Sequence, residues 1–298
     1  MNNAHPGLPE LEYVKPGSLE EASRFLVQHA GESRPFLGAT DCIVRIRDGA
    51  WTPKYMVDVK GLSGTTGVSF DPHSGLTIGA AVPMNKVAAH PDVQRVYPLL
   101  VEATHWVASY QLRSRATIVG NICNASPAGD TIGAAMVLDG SLHVFGPSGE
   151  RTEPLANFFK GPGKTNLQPG DIATSLHLPI PPAGGAGRYL KLGRNKLGDL
   201  AIVGVTVFAY PDSSAASGYR FRIALASVAP VPLRATAAEE ILASQPISEA
   251  VIAEAADAAM NAVRPSDDNR GSARYRKLMV RNLTRNGVMD VWTRVRQA

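Results

Sequence analysis

Apolar positions recur along this chain with two different periods. In "SLEEASRFLVQHAG", Leu19, Ala22, Phe25, Leu26 and His29 fall on one face of a 3.6-residue turn, which predicts a helix. Ser18 is placed to cap it, Glu21 three residues on completes a capping box, and Gly31 suits the C-terminal end. "RPFLGATDCIVRIRDG" reads as a short strand, a Gly-Ala-Thr turn and a short amphipathic helix. "KYMVDV" and "GLTIGA" have the alternation and branched residues of strands. "YPLLVEATHWVASY" puts Leu99, Leu100, Ala103, Trp106, Val107 and Tyr110 on one helical face. "SLHVFGPSGERTEP" predicts a hairpin turned at Pro147-Ser148-Gly149, and "DIATSLHLPIPP" another strand.

"PPAGGAG", Pro181 to Gly187, is the sharpest break in this pattern, with two prolines and three glycines in seven residues. Beyond it come two β-rich segments, "AIVGVTVFAY" and "YRFRIALASVAP". Three helical patterns follow, around "RATAAEEILA", "SEAVIAEAADAAMNAV" and "SARYRKLMVRNLTR". Mixed segments, then strands, then helices predict an α+β chain of two units rather than one doubly wound sheet.

Composition narrows the class. The 298 residues are 44% hydrophobic and 19% charged, which suits about two domains with real cores. No apolar run approaches the roughly 20 residues of a membrane span. "MNNAHPGLPELEYV" lacks a basic segment followed by an apolar one, so no secretory leader is expected. Two cysteines, Cys42 and Cys123, suit a reducing compartment, and a cytoplasmic location is expected. The net charge of +4 is local: from Arg264 onward nine Arg/Lys face three Asp, leaving the first 263 residues at −2. This basic end carries no aromatic interleaving or nucleic-acid motif, so a solvated helix face or an acidic partner subunit is expected instead of nucleic acid.

Much familiar chemistry is missing. The sequence holds no H-E-x-x-H, C-x-x-C, G-x-S-x-G or G-x-G-x-x-G. "GPGKT", Gly161 to Thr165, ends like a phosphate loop, but Phe158 stands where its first glycine belongs and "NLQPGD" follows instead of a helix. What remains is a pair of small-residue stretches: "FLGATD", Phe36 to Asp41, and "ATIVGNICNASPAGD", Ala116 to Asp130, whose first residues read as a short strand or a buried turn. Glycine permits close backbone approach and positive φ, while Thr, Asn and Ser add hydrogen bonds, so such loops can hold a dinucleotide diphosphate through main-chain amides. The residues alone leave that reading open beside a plainer one, tight turns whose Asn and Ser bond their own backbone.

"RPFLGATDCIVRIRDG", "QLRSRATIVGNICNASPAGD", "GDIATSLHLPIPP" and "LASVAPVPLRAT" together resemble, in that order, the FAD-binding medium subunit of molybdenum hydroxylases, the xanthine dehydrogenase and aerobic carbon monoxide dehydrogenase family. The similarity runs from about Leu11 into the last helices, and A-T-I-x-G-N…A-S-P-x-x-D is its specific part. The resemblance implies an α+β, vanillyl-alcohol-oxidase-type (PCMH-type) FAD-binding domain of two α/β subdomains, about 1–62 and 63–180. A C-terminal domain of antiparallel sheet packed with helices, 187–298, is implied after it. It further implies that Leu37, Gly38, Ala39, Thr40, Asp41 and Cys42 lie along the FAD diphosphate. Thr117, Gly120, Asn121, Cys123 and Asn124 are implied as further cofactor contacts, and Asp130 as the acid on the adenosine ribose. No side chain is nominated as catalytic and no metal ligand is expected.

Three positions depart from the family pattern: Ala39 where a second glycine is common, Val119 where Gly-Gly-Asn is common, and Ile202 where some relatives carry a lysine. Two cysteines cannot supply four thiolates to an additional four-iron cluster, so FAD alone is expected. The implied partners are a large molybdopterin subunit and a small subunit with two-iron clusters, in a dimer of heterotrimers. Electrons would pass from the clusters through FAD to an external acceptor. A stand-alone flavin oxidoreductase of the same fold and a cofactor-free scaffold subunit remain the rival expectations.

Overall fold

The computed structural model describes residues 7–195 and 198–297; the first residues of the stretch read for a leader lie outside this range. Three strands open the chain: β1 (Glu12–Val14), β2 (Ser33–Phe36) and β3 (Tyr55–Asp58), a parallel sheet in the order β1-β3-β2. α1 (Leu19–Gln28) is the expected crossover helix, and the Ser18 hydroxyl accepts from the Glu21 amide at 3.2 Å. The Glu21 carboxylate reaches back to the Gly17 amide at 2.7 Å, one residue earlier than a strict capping box. Its inner face buries Leu19, Ala22 and Leu26 against Val57, Val59 and Leu62. α2 (Cys42–Arg47) follows β2 directly, leaving residues 37–41 as the connecting bend.

The middle unit is a five-stranded antiparallel sheet of β4 (Val68–Asp71), β5 (Gly75–Gly79), β6 (Ser141–Gly146), β7 (Gly149–Pro154) and β10 (Ile172–Leu178), in the order β4-β5-β10-β6-β7. The β6–β7 hairpin turns as expected, with Gly146 paired to Gly149 across Pro147-Ser148. Helices fill the space between β5 and β6: α3 (Met84–Ala88), α4 (Pro91–Val96), α5 (Pro98–His105), α6 (Tyr110–Arg113), α7 (Ile118–Asn124) and α8 (Asp130–Val137). A small hairpin, β8 (Phe159–Gly161) with β9 (Lys164–Thr165), precedes β10.

Two sequence expectations change here. The helix over "YPLLVEATHWVASY" stops at His105. Ala108 takes a left-handed φ of 42°, and Ser109 caps a new turn through its hydroxyl, leaving Tyr110 67% exposed instead of inward. "ATIVGNICN" is neither strand nor loop but the N-capped helix α7, begun by the Thr117 hydroxyl accepting from the Gly120 amide at 3.0 Å.

After the Pro/Gly break comes a four-stranded antiparallel sheet: β11 (Ala186–Leu192), β12 (Val203–Pro211), β13 (Tyr219–Ala226) and β14 (Leu233–Arg234). The three expected helices follow as α9 (Thr236–Ser244), α10 (Glu249–Ala262) and α11 (Ala273–Val295), the last running a further ten residues past its recognised pattern. The apolar run "VGVTVFA" is explained by burial on both faces of β12. Val203, Val205, Val207 and Ala209 join the helices of the C-terminal core, while Phe208 joins the core of the middle unit. The fit on that second face is tight. A Cβ on Gly133 of α8 would lie 2.4 Å from the Thr206 hydroxyl.

Candidate functional site

The bend after β2 and the helix α7 meet. A Cβ on Gly38 would stand 2.2 Å from the Arg115 carbonyl oxygen and 3.0 Å from the Ala116 Cα, so only glycine permits this backbone-on-backbone approach. Asn124 at the end of α7 donates to the Asp41 carboxylate at 3.1 Å, tying the two stretches a second time. Between them opens a cavity of about 930 Å³, near the top of the roughly 300–1,000 Å³ usual for ligand sites.

All twelve residues singled out in the sequence line this one cavity: Leu37, Gly38, Ala39, Thr40, Asp41, Cys42, Thr117, Gly120, Asn121, Cys123, Asn124 and Asp130. Among the described residues, no protein oxygen accepts from the amides of Gly38, Ala39, Thr40 and Asp41. Ala39 bends this run at φ 58°. Successive backbone amides left without protein acceptors around a left-handed residue are the kind of arrangement that can bind an anion.

The second stretch departs from expectation in detail. The Gly120 amide is taken by the Thr117 hydroxyl, so Gly120 contributes space rather than a donor. Asn121 accepts from Thr131 at 2.8 Å through its carbonyl oxygen, which turns its amide nitrogen free of that bond. Val119, a departure from the family pattern, is buried at 1% exposure in the core and does not intrude on the cavity. Ile202, another departure, is likewise buried in the C-terminal core.

Asp130 is the more enclosed of the two acids among these twelve residues. It lines the cavity but is almost fully buried, and its two carboxylate oxygens accept from the Tyr189 hydroxyl at 2.6 Å and the Lys191 ammonium at 2.9 Å. Burial holds its pKa above the ordinary carboxylate value, against the opposing pull of Lys191 and Tyr189. The same burial, with the Asp130 charge beside it, holds the Tyr189 hydroxyl well above its ordinary value. Both cysteines are disfavoured as thiolates: burial pushes Cys123 up to about 12, and burial with the Asp41 charge raises Cys42. Neither is poised as a nucleophile.

Sequence reading passed over several wall residues. Lys160 and Lys164 reach the cavity from the β8–β9 hairpin, whose Gly163 amide bonds the Ala125 carbonyl at the end of α7 at 3.0 Å. This is the "GPGKT" stretch, and no helix follows it. Arg34 and Arg45 stack on the Trp51 ring at 4.1 and 4.8 Å, and all three line the same cavity. From the C-terminal unit, Gly198, Asp199 and Leu200 close one side. Arg34, Arg45 and Lys164 lie in stretches quoted from the sequence, but nothing in their spacing marked them as cavity wall, and Lys160, Trp51 and residues 198–200 carried no signal at all.

Two small-residue stretches meet at a cavity lined by an α/β unit, an antiparallel sheet and a C-terminal loop, an arrangement of the size and chemistry that suits a dinucleotide. Comparison with known proteins gives the family. Residues 9–181 match the model of the FAD binding domain in molybdopterin dehydrogenase, and residues 188–291 that of the CO dehydrogenase flavoprotein C-terminal domain. The chain belongs to this family of molybdenum hydroxylase flavoprotein subunits.

It is 29% identical over 286 residues to the carbon monoxide dehydrogenase medium chain of Hydrogenophaga pseudoflava, covering 96% of this chain and 98% of that one. To the glyceraldehyde dehydrogenase medium chain of Sulfolobus acidocaldarius it is 28% identical, covering 95% and 99%. To the xanthine dehydrogenase FAD-binding subunit of Escherichia coli O157:H7 it is 24% identical, covering 93% and 94%. The solved carbon monoxide dehydrogenase of Hydrogenophaga pseudoflava superposes with a TM-score of 0.91 at 30% identity, covering 96% of this chain and 99% of that one.

Proposed function

We propose that this chain is the FAD-binding electron-transfer subunit of a cytoplasmic molybdenum-containing hydroxylase or dehydrogenase. It takes electrons from the two-iron clusters of a small partner subunit and passes them to an external acceptor, while the substrate reacts on a large molybdopterin subunit. The observation that carries this reading is the run of four amides, Gly38 to Asp41, that have no protein acceptor among the described residues and belong to residues lining the cavity. A diphosphate brings two negative charges; preorganised amides aimed at one anion supply partial positive charge without a lysine. Leu37, Ala39, Thr40 and Cys42 shape that seat, Gly120 leaves it room, and Thr117, Asn121, Cys123 and Asn124 wall its other side. Asp130, which lines the same cavity, would accept from a ribose hydroxyl. Bound FAD supplies the redox chemistry, accepting and releasing electrons singly or in pairs; the protein supplies position and electrostatics. Residues 1–180 would hold the cofactor, and 187–298 would close the cavity and face the partners.

The test is a visible spectrum and a co-purification. The full chain, purified alone, is expected to be yellow, and co-expressed with its neighbouring subunits it should elute with a large molybdenum and a small iron–sulfur protein as a dimer of heterotrimers. Gly120→Val, whose first side-chain carbon would stand 2.8 Å from the Thr117 hydroxyl, should give folded but colourless protein. A colourless wild-type chain that cannot be loaded with FAD overturns the reading in favour of a scaffold. A yellow chain that never associates points to a stand-alone flavin enzyme.

A further inference from the structure

Arg276, one turn into α11, is 2% exposed, the deepest of the buried charged residues among those described, and it does not line the cavity. Its Nη1 donates to the Ile202 carbonyl at 2.6 Å and to the Ser227 carbonyl at 3.0 Å, and its Nη2 to the Asp268 carboxylate at 2.6 Å. Ile202 and Ser227 stand just beyond the last pair of the β12–β13 ladder, Gly204 with Ala226, and no backbone amide takes their carbonyls. Each carbonyl belongs to a segment that reaches the cavity. Ile202 follows Gly198, Asp199 and Leu200, which close one side. Ser227, at φ 65°, donates its amide to the Pro127 carbonyl at 2.8 Å, and Ser126, Ala128 and Gly129 around that proline line the cavity. One guanidinium therefore holds the closing segment and, through Ser227, the junction with the second small-residue stretch.

We propose that Arg276 is a positioning residue for the flavin site. From α11 it fixes the reach of residues 198–200 over the cavity and the seat of the C-terminal unit against residues 126–129. This rests on the FAD reading above. The planar fork matters, because two N–H groups of one nitrogen serve two carbonyls while the other nitrogen is held by Asp268. A lysine ammonium could reach the same carbonyls but would not hold them in one plane. Without the guanidinium both carbonyls lose a buried donor. Leu200, 56% exposed, has little packing of its own, whereas Val203, Val205 and Val207 stay fixed in the C-terminal core. The closing segment moves before the sheet does.

The experiment uses the full chain stripped of flavin and titrated with FAD, comparing wild type with Arg276→Met, Arg276→Lys and the control Arg234→Met. Arg234 donates to Glu239 at 2.6 and 2.8 Å in the same unit, and neither residue lines the cavity. Dissociation constants, the visible circular dichroism of bound flavin and Tm are read for each. Arg276→Met is expected to weaken FAD by about tenfold and to flatten the flavin bands at temperatures where the chain is folded, and Arg276→Lys to recover part of both. Arg234→Met should lower Tm and leave affinity and bands as in wild type. If Arg276→Met does not fold, Asp268→Asn removes the charged partner that orients the fork and should weaken FAD by about threefold with the same change in the bands. Wild-type affinity and bands in the folded variants, or the same losses in Arg234→Met, overturn the proposal and leave the flavin assignment intact. Wild type that takes up no FAD overturns both.

Discussion

Gly38→Ala is the sharpest perturbation of the site. The added carbon would meet the Arg115 carbonyl oxygen at 2.2 Å, its carbon at 2.8 Å and the Ala116 Cα at 3.0 Å, all of them backbone atoms that cannot rotate away. Restoring ordinary contact needs the two stretches to part by roughly 1 Å, since non-bonded heavy atoms settle near 3.5–4.0 Å. Overpacking of this kind costs about 1–3 kcal/mol, and a rigid obstacle places it at about 2–3. In a domain of this size each kcal/mol lowers Tm by about 2–4 °C, so a fall of about 5–10 °C is expected. The same displacement carries the unpaired amides of Gly38 to Asp41 and stretches the Asn124–Asp41 bond, so FAD content should fall with it. Differential scanning calorimetry gives the first number, and the flavin-to-protein absorbance ratio the second. Gly61→Ala is the control, because a carbon there has no neighbour within 4 Å and its φ is ordinary. A Gly38→Ala protein with wild-type Tm and full flavin content would refute the claim that backbone contact between the stretches builds the seat.

Three further outcomes follow from the same structure. Ala39→Gly should leave stability unchanged or raise it by up to about 1 kcal/mol in urea unfolding, because relief of the left-handed φ of 58° is set against added freedom of the unfolded chain; a clear loss would contradict that conformation. Arg151→Met should cost about 2 kcal/mol by urea unfolding. It strips the Asp171 carboxylate of two bonds at 2.9 and 2.6 Å and leaves it buried at 2% exposure. Asp199 is held at about 2 by the Arg194 side chain, and Asp212 at about 2 by the Ser214 hydroxyl and then Arg220. Both folded values lie below the ordinary carboxylate value near 3.9, so their contribution is complete above about pH 4 and lost as pH falls toward 2. Urea midpoints taken from pH 5 to pH 2 should drop across that window, and less steeply in Asp212→Asn.

Period and punctuation carried most of the architecture. The Ser18 cap, the Pro147-Ser148 hairpin and the strand-then-helix order after Gly187 are local matters, settled by residues within a few positions of one another. The failures were tertiary. Nothing in "THWVASYQL" announces that Ala108 turns left-handed, because alanine has no intrinsic preference for that region and only the packing around it imposes the turn. "ATIVGNICN" hid a helix because its β-branched residues and glycine favour other states. The Thr117 cap and burial of Ile118, Val119 and Ile122 override that preference.

The site was legible only in part, for a related reason. Small residues mark where backbones must come close, so both stretches were visible as composition, and Gly38 against Arg115 and Ala116 shows why. The charged residues that finish the cavity lie on separate elements, Arg34 and Arg45 about Trp51 and Lys160 and Lys164 on a hairpin, with no spacing to join them. Asp130 was recognisable as an acid in the right string, but its partners Tyr189 and Lys191 lie about 60 residues away, on a strand of the other unit. A single acid in a motif suggests a ligand contact. The folded chain buries that acid between a hydroxyl and an ammonium of a distant strand, partners that no spacing in the sequence could have joined to it.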